Sequence, residues 1–306
     1  MLGMGRATAA CIAASLFSCS PRVIPETAES EFDVERIEQA CEQVEPGAYY
    51  SVRPSTVLLK ERERERLAIG VLGVSLGFPI AREPDARLGV HQGDKQQLTR
   101  VRSWDEIQGG FTEEFVLSAS SEPLKDPAIR VDVSSASGTL GYARVHLCSL
   151  VAEKHVALSA GEGDIAFEVT KIPRGDRTVD VRIDGRAAPP SDDQTCAGTH
   201  GAGVLLLPGH RATIESVRGA VSFGTFDDHK YGPEGVAEKW KSYRYQELSR
   251  VNHGALAVSA FGRLAVARSG MTVDATEAGC LAFFVNDTDP DNNDGDFVAS
   301  VRIAEP

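Results

Sequence analysis

The chain is predicted to be all-β, with two β-sandwiches in succession, and three observations carry that expectation. Segments of strand character recur from Leu67 onward, separated by Gly, Pro or Asp, with no helical pattern between them. Several alternate with period two, as in Ile129-Val131-Val133 and Val179-Val181-Ile183. A stretch rich in Pro, Gly and small polar residues, 185–203, interrupts the series, after which the strand pattern restarts. A length of 306 residues agrees with two domains.

Composition narrows the function classes. A hydrophobic content of 42% suffices for ordinary cores, and no apolar run reaches the roughly 20 residues of a membrane helix. A net charge of −12 argues against a nucleic-acid backbone as partner and is compatible with a cation or a neutral ligand.

The N-terminus reads as an export signal. Arg6 precedes the apolar run Ala7 to Phe17, and small residues follow. Leu16-Phe17-Ser18-Cys19 resembles the lipobox of bacterial lipoproteins. That resemblance implies a signal peptide over 1–18, lipidation at Cys19, a polar tether over 19–31 and a membrane-anchored protein of the bacterial cell envelope, facing periplasm or surface. A plain secretory signal is the alternative. Cys41, Cys148, Cys196 and Cys280 then remain in an oxidising compartment. Their spacing fits neither a zinc site nor a CxxC motif, and any of three disulfide pairings is open.

The first domain is expected over 32–184. Val34, Ile37, Cys41 and Val44 form one helical stripe that ends at Pro46-Gly47. The charge-alternating run 60–66 reads as a solvated edge. Eight strands follow: LAIGVLGVSL, ARLGVHQG, KQQLTRVR, FTEEFVLS, AIRVDVSS, ARVHLCSL, DIAFEVTK and TVDVRIDG. Their succession, with Asp85 at a strand start and Phe111-Thr112-Glu113-Glu114-Phe115 at a corner, resembles the C2 phospholipid-binding sandwich. The C2 family holds calcium with several Asp after its IRVDV strand, but here that loop is Ser134 to Gly138 and has no carboxylate. Calcium-driven membrane docking is therefore not expected of this domain, and a spacer or protein-binding role is.

The second domain is expected over 204–306, with strands at VLLLPG, RATIESV, GAVSFGTF, GALAVSAFG, CLAFFVND and DFVASVRI. Phe297, Ala299, Val301 and Ile303 share one face of the last strand. Between Asp287 and Asp296 lie five Asp and the pair Asn292-Asn293, with no Lys or Arg. Such a loop repels itself unless it is solvated or wraps a cation, and calcium is the cation that takes 6–8 oxygens from such side chains and carbonyls. An EF-hand is excluded, because Asn292 stands where Gly is required and Val298 where the bidentate Glu belongs. A merely polar Asp/Asn turn is the alternative.

The ordered motifs Pro208-Gly209, Ser222-Phe223-Gly224, Lys230 to Gly235, Gly254-Ala255-Leu256, Asn286-Asp287 and Asn292 to Phe297 resemble the PA-I galactophilic lectin family. The resemblance implies a jelly-roll-like, galactose-binding sandwich with Ca2+ held by Asp287, Asn292, Asn293 and the Phe223 carbonyl. The loop is two residues shorter than the family's, so Asp289 or Asp291 would supply the oxygen that a Thr carbonyl gives there. Asp287, Asn292 and Asn293 would also touch the sugar. Trp240, Tyr243 and Tyr245 are candidates to stack on a pyranose, or else belong to core or interface. No Gly-x-Ser-x-Gly, His-Glu-x-x-His, phosphate loop or dinucleotide fingerprint is present. The expectation is a non-enzymatic, calcium-dependent carbohydrate-binding lipoprotein; the alternative is a structural or protein-binding one whose calcium only stabilises the fold.

Overall fold

The computed structural model describes residues 34–59, 66–71, 74–79, 85–99, 101–103, 111, 113–135, 138–159, 163–187, 196, 202–224, 229–236 and 246–305. The signal, Cys19, the tether, and Trp240, Tyr243 and Tyr245 lie outside them. The fold is all-β, with two sandwiches.

In the first, α1 (Val34–Cys41) leads into β1 (Tyr49–Leu59), β2 (Arg66–Val71), β3 (Val74–Pro79), β4 (Ala86–Gln92), β5 (Lys95–Leu98), β6 (Phe115–Ser118), β7 (Ile129–Ser135) and β8 (Gly138–Val145). Helix α2 (Leu147–Glu153), β9 (His155–Ala157) and β10 (Gly163–Lys171) complete it. Two antiparallel sheets, β6-β1-β10-β9 and β5-β4-β7-β8, enclose one core containing Val52, Leu88, Phe115, Val131 and Ile165; β2 and β3 form a separate pair. The corner expected at residues 111–115 buries Phe111, Glu113 and Phe115. The Glu113 carboxylate meets Arg102 at 3.0 Å, which compensates an otherwise prohibitive buried charge. Several elements differ from expectation: β1 and β9 form where no strand is predicted, and LAIGVLGVSL is the antiparallel pair β2–β3 and not one strand. ARVHLCSL is strand only to Val145; His146 then caps α2 by accepting the Cys148 N–H on Nδ1 at 3.3 Å, and Leu147 and Leu150 turn into the core at helical spacing.

The second sandwich comprises β11 (Arg177–Asp184), β12 (Ala202–Leu206), β13 (Arg211–Phe223), β14 (Leu256–Ala260), β15 (Arg263–Val266), β16 (Thr272–Asp274), β17 (Gly279–Val285) and β18 (Asn293–Ala304). The sheets are β11-β18-β13-β16 and β12-β17-β14-β15. Strand β11 pairs with β18 from Arg177↔Ile303 to Asp184↔Asp296, so TVDVRIDG belongs to this sandwich and not to the first. The 185–203 stretch is thus a crossing from β11 to β12 within the second sandwich. The two segments RATIESV and GAVSFGTF are one strand, β13, with an irregularity between Ile214 and Ser216. Ile183, Val221, Phe283, Phe297 and Val301 are completely or almost completely buried between the sheets. Strand β17 is buried at every position, as expected of a continuous apolar run.

Of the three open pairings, the disulfides are Cys41–Cys148 and Cys196–Cys280, one joining α1 to α2 and the other tying the crossing to β17. With separations of 107 and 84 residues, each is worth about 4–5 kcal/mol in the chain-entropy account. Where the sandwiches touch, Val116, Ile172 and Leu207 pack together, and Glu114 exchanges two backbone hydrogen bonds with Cys196 at 2.7 and 3.1 Å.

One buried histidine gives this sandwich an acid limit. His210 is 2% exposed; its Nδ1 accepts the Leu207 N–H at 3.2 Å, and its Nε2 lies 3.6 Å from Glu305. Burial chiefly, and then the charge of Arg177, holds its pKa below the ordinary histidine value, against the opposing pull of Glu305. The unfolded chain therefore takes up this proton first, so stability is lost as pH falls from about 6.5 toward the folded-state value. Urea midpoints for the wild type should fall across that window, and less so for His210→Gln. Equal slopes would remove the histidine from the account.

Candidate metal centre

The acidic loop follows from its flanks. Strand β17 delivers Asn286 and Asp287 to one end of the second sandwich, and β18 begins at Asn293. Between them, Pro290 to Asn292 form a short 3-10 turn. Asp287 is 5% exposed and its Oδ1 accepts the Asp289 N–H at 3.0 Å, the Asx-type bond that bends the chain back. Register then sets Asn293 opposite Phe223, the last residue of β13. Gly224 continues past it so close to Asn292 that a Cβ at 224 would collide with the Asn292 carbonyl oxygen.

The remaining motifs assemble against this end. Tyr231 bridges β13 at Val221 by two backbone hydrogen bonds of 2.8 and 2.9 Å. The turn that follows docks on the 252–256 segment: Leu256 N–H donates to Pro233 O, Val236 N–H to His253 O, and the Asn252 side chain to Glu234 O, each at 2.9 Å. Gly254, at φ +72°, has its Cα against the Phe223 ring, and its N–H donates to Asn286 O at 2.9 Å. The Phe223 ring contacts those of His253 and Tyr231, with centroids at 4.9 and 5.7 Å.

Of the predicted residues, the structure brings Phe223, Asp287, Asn292 and Asn293 to one place. Asp289, Asp291 and Asn292 are exposed, whereas Asp287 and Asn293 are buried. Asp287, Asp289 and Asp291 form no group of three with one another or with a histidine inside 4.8 Å; among the described residues the one such trio is Cys41, His146 and Cys148. Three neighbours complete the centre. Gly185 O accepts from Asn293 Nδ2 at 2.9 Å, Asn286 Nδ2 donates to Asn252 O at 3.2 Å, and His253 Nε2 lies 3.8 Å from Asp287 Oδ2. Sequence reasoning missed Gly185, which is remote in the chain, and gave no role to Asn286 or His253. The adjacency of Asn286 to Asp287 was the available signal.

The donors fit a hard cation. Asn293 Oδ1 and Asn286 Oδ1 are buried and have no hydrogen-bond partner, a condition that costs roughly 1–3 kcal/mol per group unless something else satisfies them. Each amide nitrogen is already engaged, which leaves an oxygen as the free atom. A buried carboxylate, an orphaned carboxamide oxygen and backbone carbonyls are ligands of the calcium type. A separate cavity of about 470 Å3 lies along Val217, Glu234, Arg250, Asn252, Ala255 and Arg268, and among the described residues none of the predicted site residues lines it.

No protein-family model matches the chain, and no curated protein matches it. Among solved structures, a C2 domain-containing protein is similar at 12% identity with a TM-score of 0.30, covering 42% of this chain and 92% of that one. A score that low decides neither fold nor function, and the β-sandwich description stands on the sheets themselves.

Proposed function

We propose that the chain is a non-enzymatic envelope lipoprotein whose second sandwich binds carbohydrate through calcium. The single observation that supports this reading is the orphaned, buried Asn293 Oδ1 at the Phe223 strand end, at the close of the loop whose other end buries Asp287. Asp287, Asn293 and the Phe223 carbonyl would hold the ion, with Asn292 and an oxygen of Asp289 or Asp291 on its exposed side. Calcium supplies a Lewis-acidic face on which two waters can be exchanged for the vicinal hydroxyls of a galactose-like sugar. Asn292 and the neighbouring carboxylates would then donate and accept hydrogen bonds that select among sugars. Cys19 would carry the lipid anchor, and the paired cysteines agree with an oxidising compartment.

Glycan-array binding with and without chelator tests the proposal. The expected result is a galactose-type signal that chelation abolishes and that Asn292→Ala weakens. No signal, or one indifferent to chelation, overturns the carbohydrate reading. A melting temperature that falls on chelation while no sugar raises it leaves calcium in a purely structural role.

A further inference from the structure

We propose that the Cys41–Cys148 disulfide, once reduced, becomes a zinc site completed by His146. The two Sγ atoms and one ring nitrogen of His146 all lie within 4.8 Å of one another, the one such trio among the described residues. The ring is nearly free for the purpose. His146 is 6% exposed, its Nε2 has no hydrogen-bond partner, and its Nδ1 holds only the 3.3 Å bond from Cys148 N–H. A buried imidazole nitrogen without a partner is uncommon in native proteins, and neutral imidazole with two thiolates is a ligand set of the zinc type.

Contacts other than the sulfur–sulfur bond also hold the trio's scaffold together. Helices α1 and α2 lie side by side. Ile37 and Ala40 from the first and Leu147 and Leu150 from the second are buried in one core, and Arg36 pairs with Glu153 at 3.0 Å across their outer faces. Cys148 is fully buried while Cys41 is half-buried, so Cys41 is the sulfur that an external reductant reaches. A dithiol donor transfers two electrons and two protons, the sulfur–sulfur bond breaks, and the donor leaves as its own disulfide. Zinc then displaces both thiol protons to solvent. The neutral ring, whose Nδ1 accepts the Cys148 N–H and whose proton is therefore on Nε2, gives up that cap bond and binds either through Nδ1 directly or through Nε2 after its proton moves to Nδ1. The ion would restore the covalent staple between α1 and α2 with a coordinate one, leaving one position for water or a further donor. This site is independent of the calcium centre, which lies in the other sandwich.

The test uses the full chain, reduced with a phosphine; water's oxygen passes to the phosphine as the disulfide takes up two electrons and two protons. Cobalt(II) is titrated as the optical probe and zinc is then added. The expected result is a thiolate-to-cobalt charge-transfer band that saturates at one ion per chain, bleaches with zinc, is lost in Cys41→Ser and needs about tenfold or more cobalt in His146→Ala. The unreduced chain should show no band. A band unchanged by Cys41→Ser or by His146→Ala overturns the proposal, because other thiols then carry it. So does a reduced chain whose circular dichroism has lost its β signal.

Discussion

Gly254→Ala should lower the stability of the second sandwich by about 2–5 kcal/mol, as two separate penalties act at that position. The first is conformational: φ is +72°, a region where a side chain is strained. The second is steric, since a Cβ at 254 would enter the Phe223 ring. That ring has no simple retreat. It lies against His253 and Tyr231, and its backbone is fixed opposite Asn293 in the β13–β18 ladder. Displacing it would move the strand end on which the candidate centre is built. Gly270 separates the two penalties: its φ is +82°, but nothing lies within 4 Å of a Cβ there, so Gly270→Ala should cost only the conformational part, about 1–2 kcal/mol. Urea denaturation of both variants at unchanged m-value measures the difference. Equal losses would show that the packing of Gly254 on Phe223 contributes nothing.

The comparison of sequence with structure divides along a physical line. Alternation is local, so Val179-Val181-Ile183 and Phe297 to Ile303 are legible as half-buried strands, and both are. Pairing is not local. Nothing in TVDVRIDG says that its partner lies more than a hundred residues on, in the strand ending at Ala304, and the Pro/Gly-rich stretch after it is a crossing inside a sandwich. Register with β18, and the Ile183 side chain buried in the second core, decide the matter. Helix α2 was hidden because ARVHLCSL has an apolar alternation that changes to helical spacing in mid-segment, where His146 caps. The disulfides were underdetermined for the same topological reason. At the candidate centre, motif order brought Phe223, Asp287, Asn292 and Asn293 into view together. The burial that distinguishes Asp287 and Asn293 from the equally acidic Asp289 and Asp291 depends on where the chain folds back, and composition carries no trace of it.

That difference in burial sets the second large effect. Calcium at about a hundred times its dissociation constant should stabilise the second sandwich by about 2.7 kcal/mol, because a ligand that binds only the folded state raises stability by mass action. For a domain of this size the increment corresponds to a rise of roughly 5–11 °C in melting temperature, read as the difference between calcium and chelator. Asp287→Asn should remove it. The substitution keeps the shape of the side chain and an oxygen to accept the Asp289 N–H, so the chelated protein should melt close to the wild type while the metal response disappears. Asn293→Leu should act through a different route: it removes the orphaned Oδ1 together with the Nδ2–Gly185 O bond, and so should lower the chelated melting temperature as well as abolish the increment. Asp294→Asn is the control. Asp294 lies in the same acidic run, but its side chain is exposed and reaches toward Lys230 at 4.0 Å, so its charge should matter only through weak, salt-screened attraction. If the increment survives Asp287→Asn, or falls as far with Asp294→Asn, calcium responds to the general charge of the loop and the buried oxygens of Asp287 and Asn293 are not its ligands.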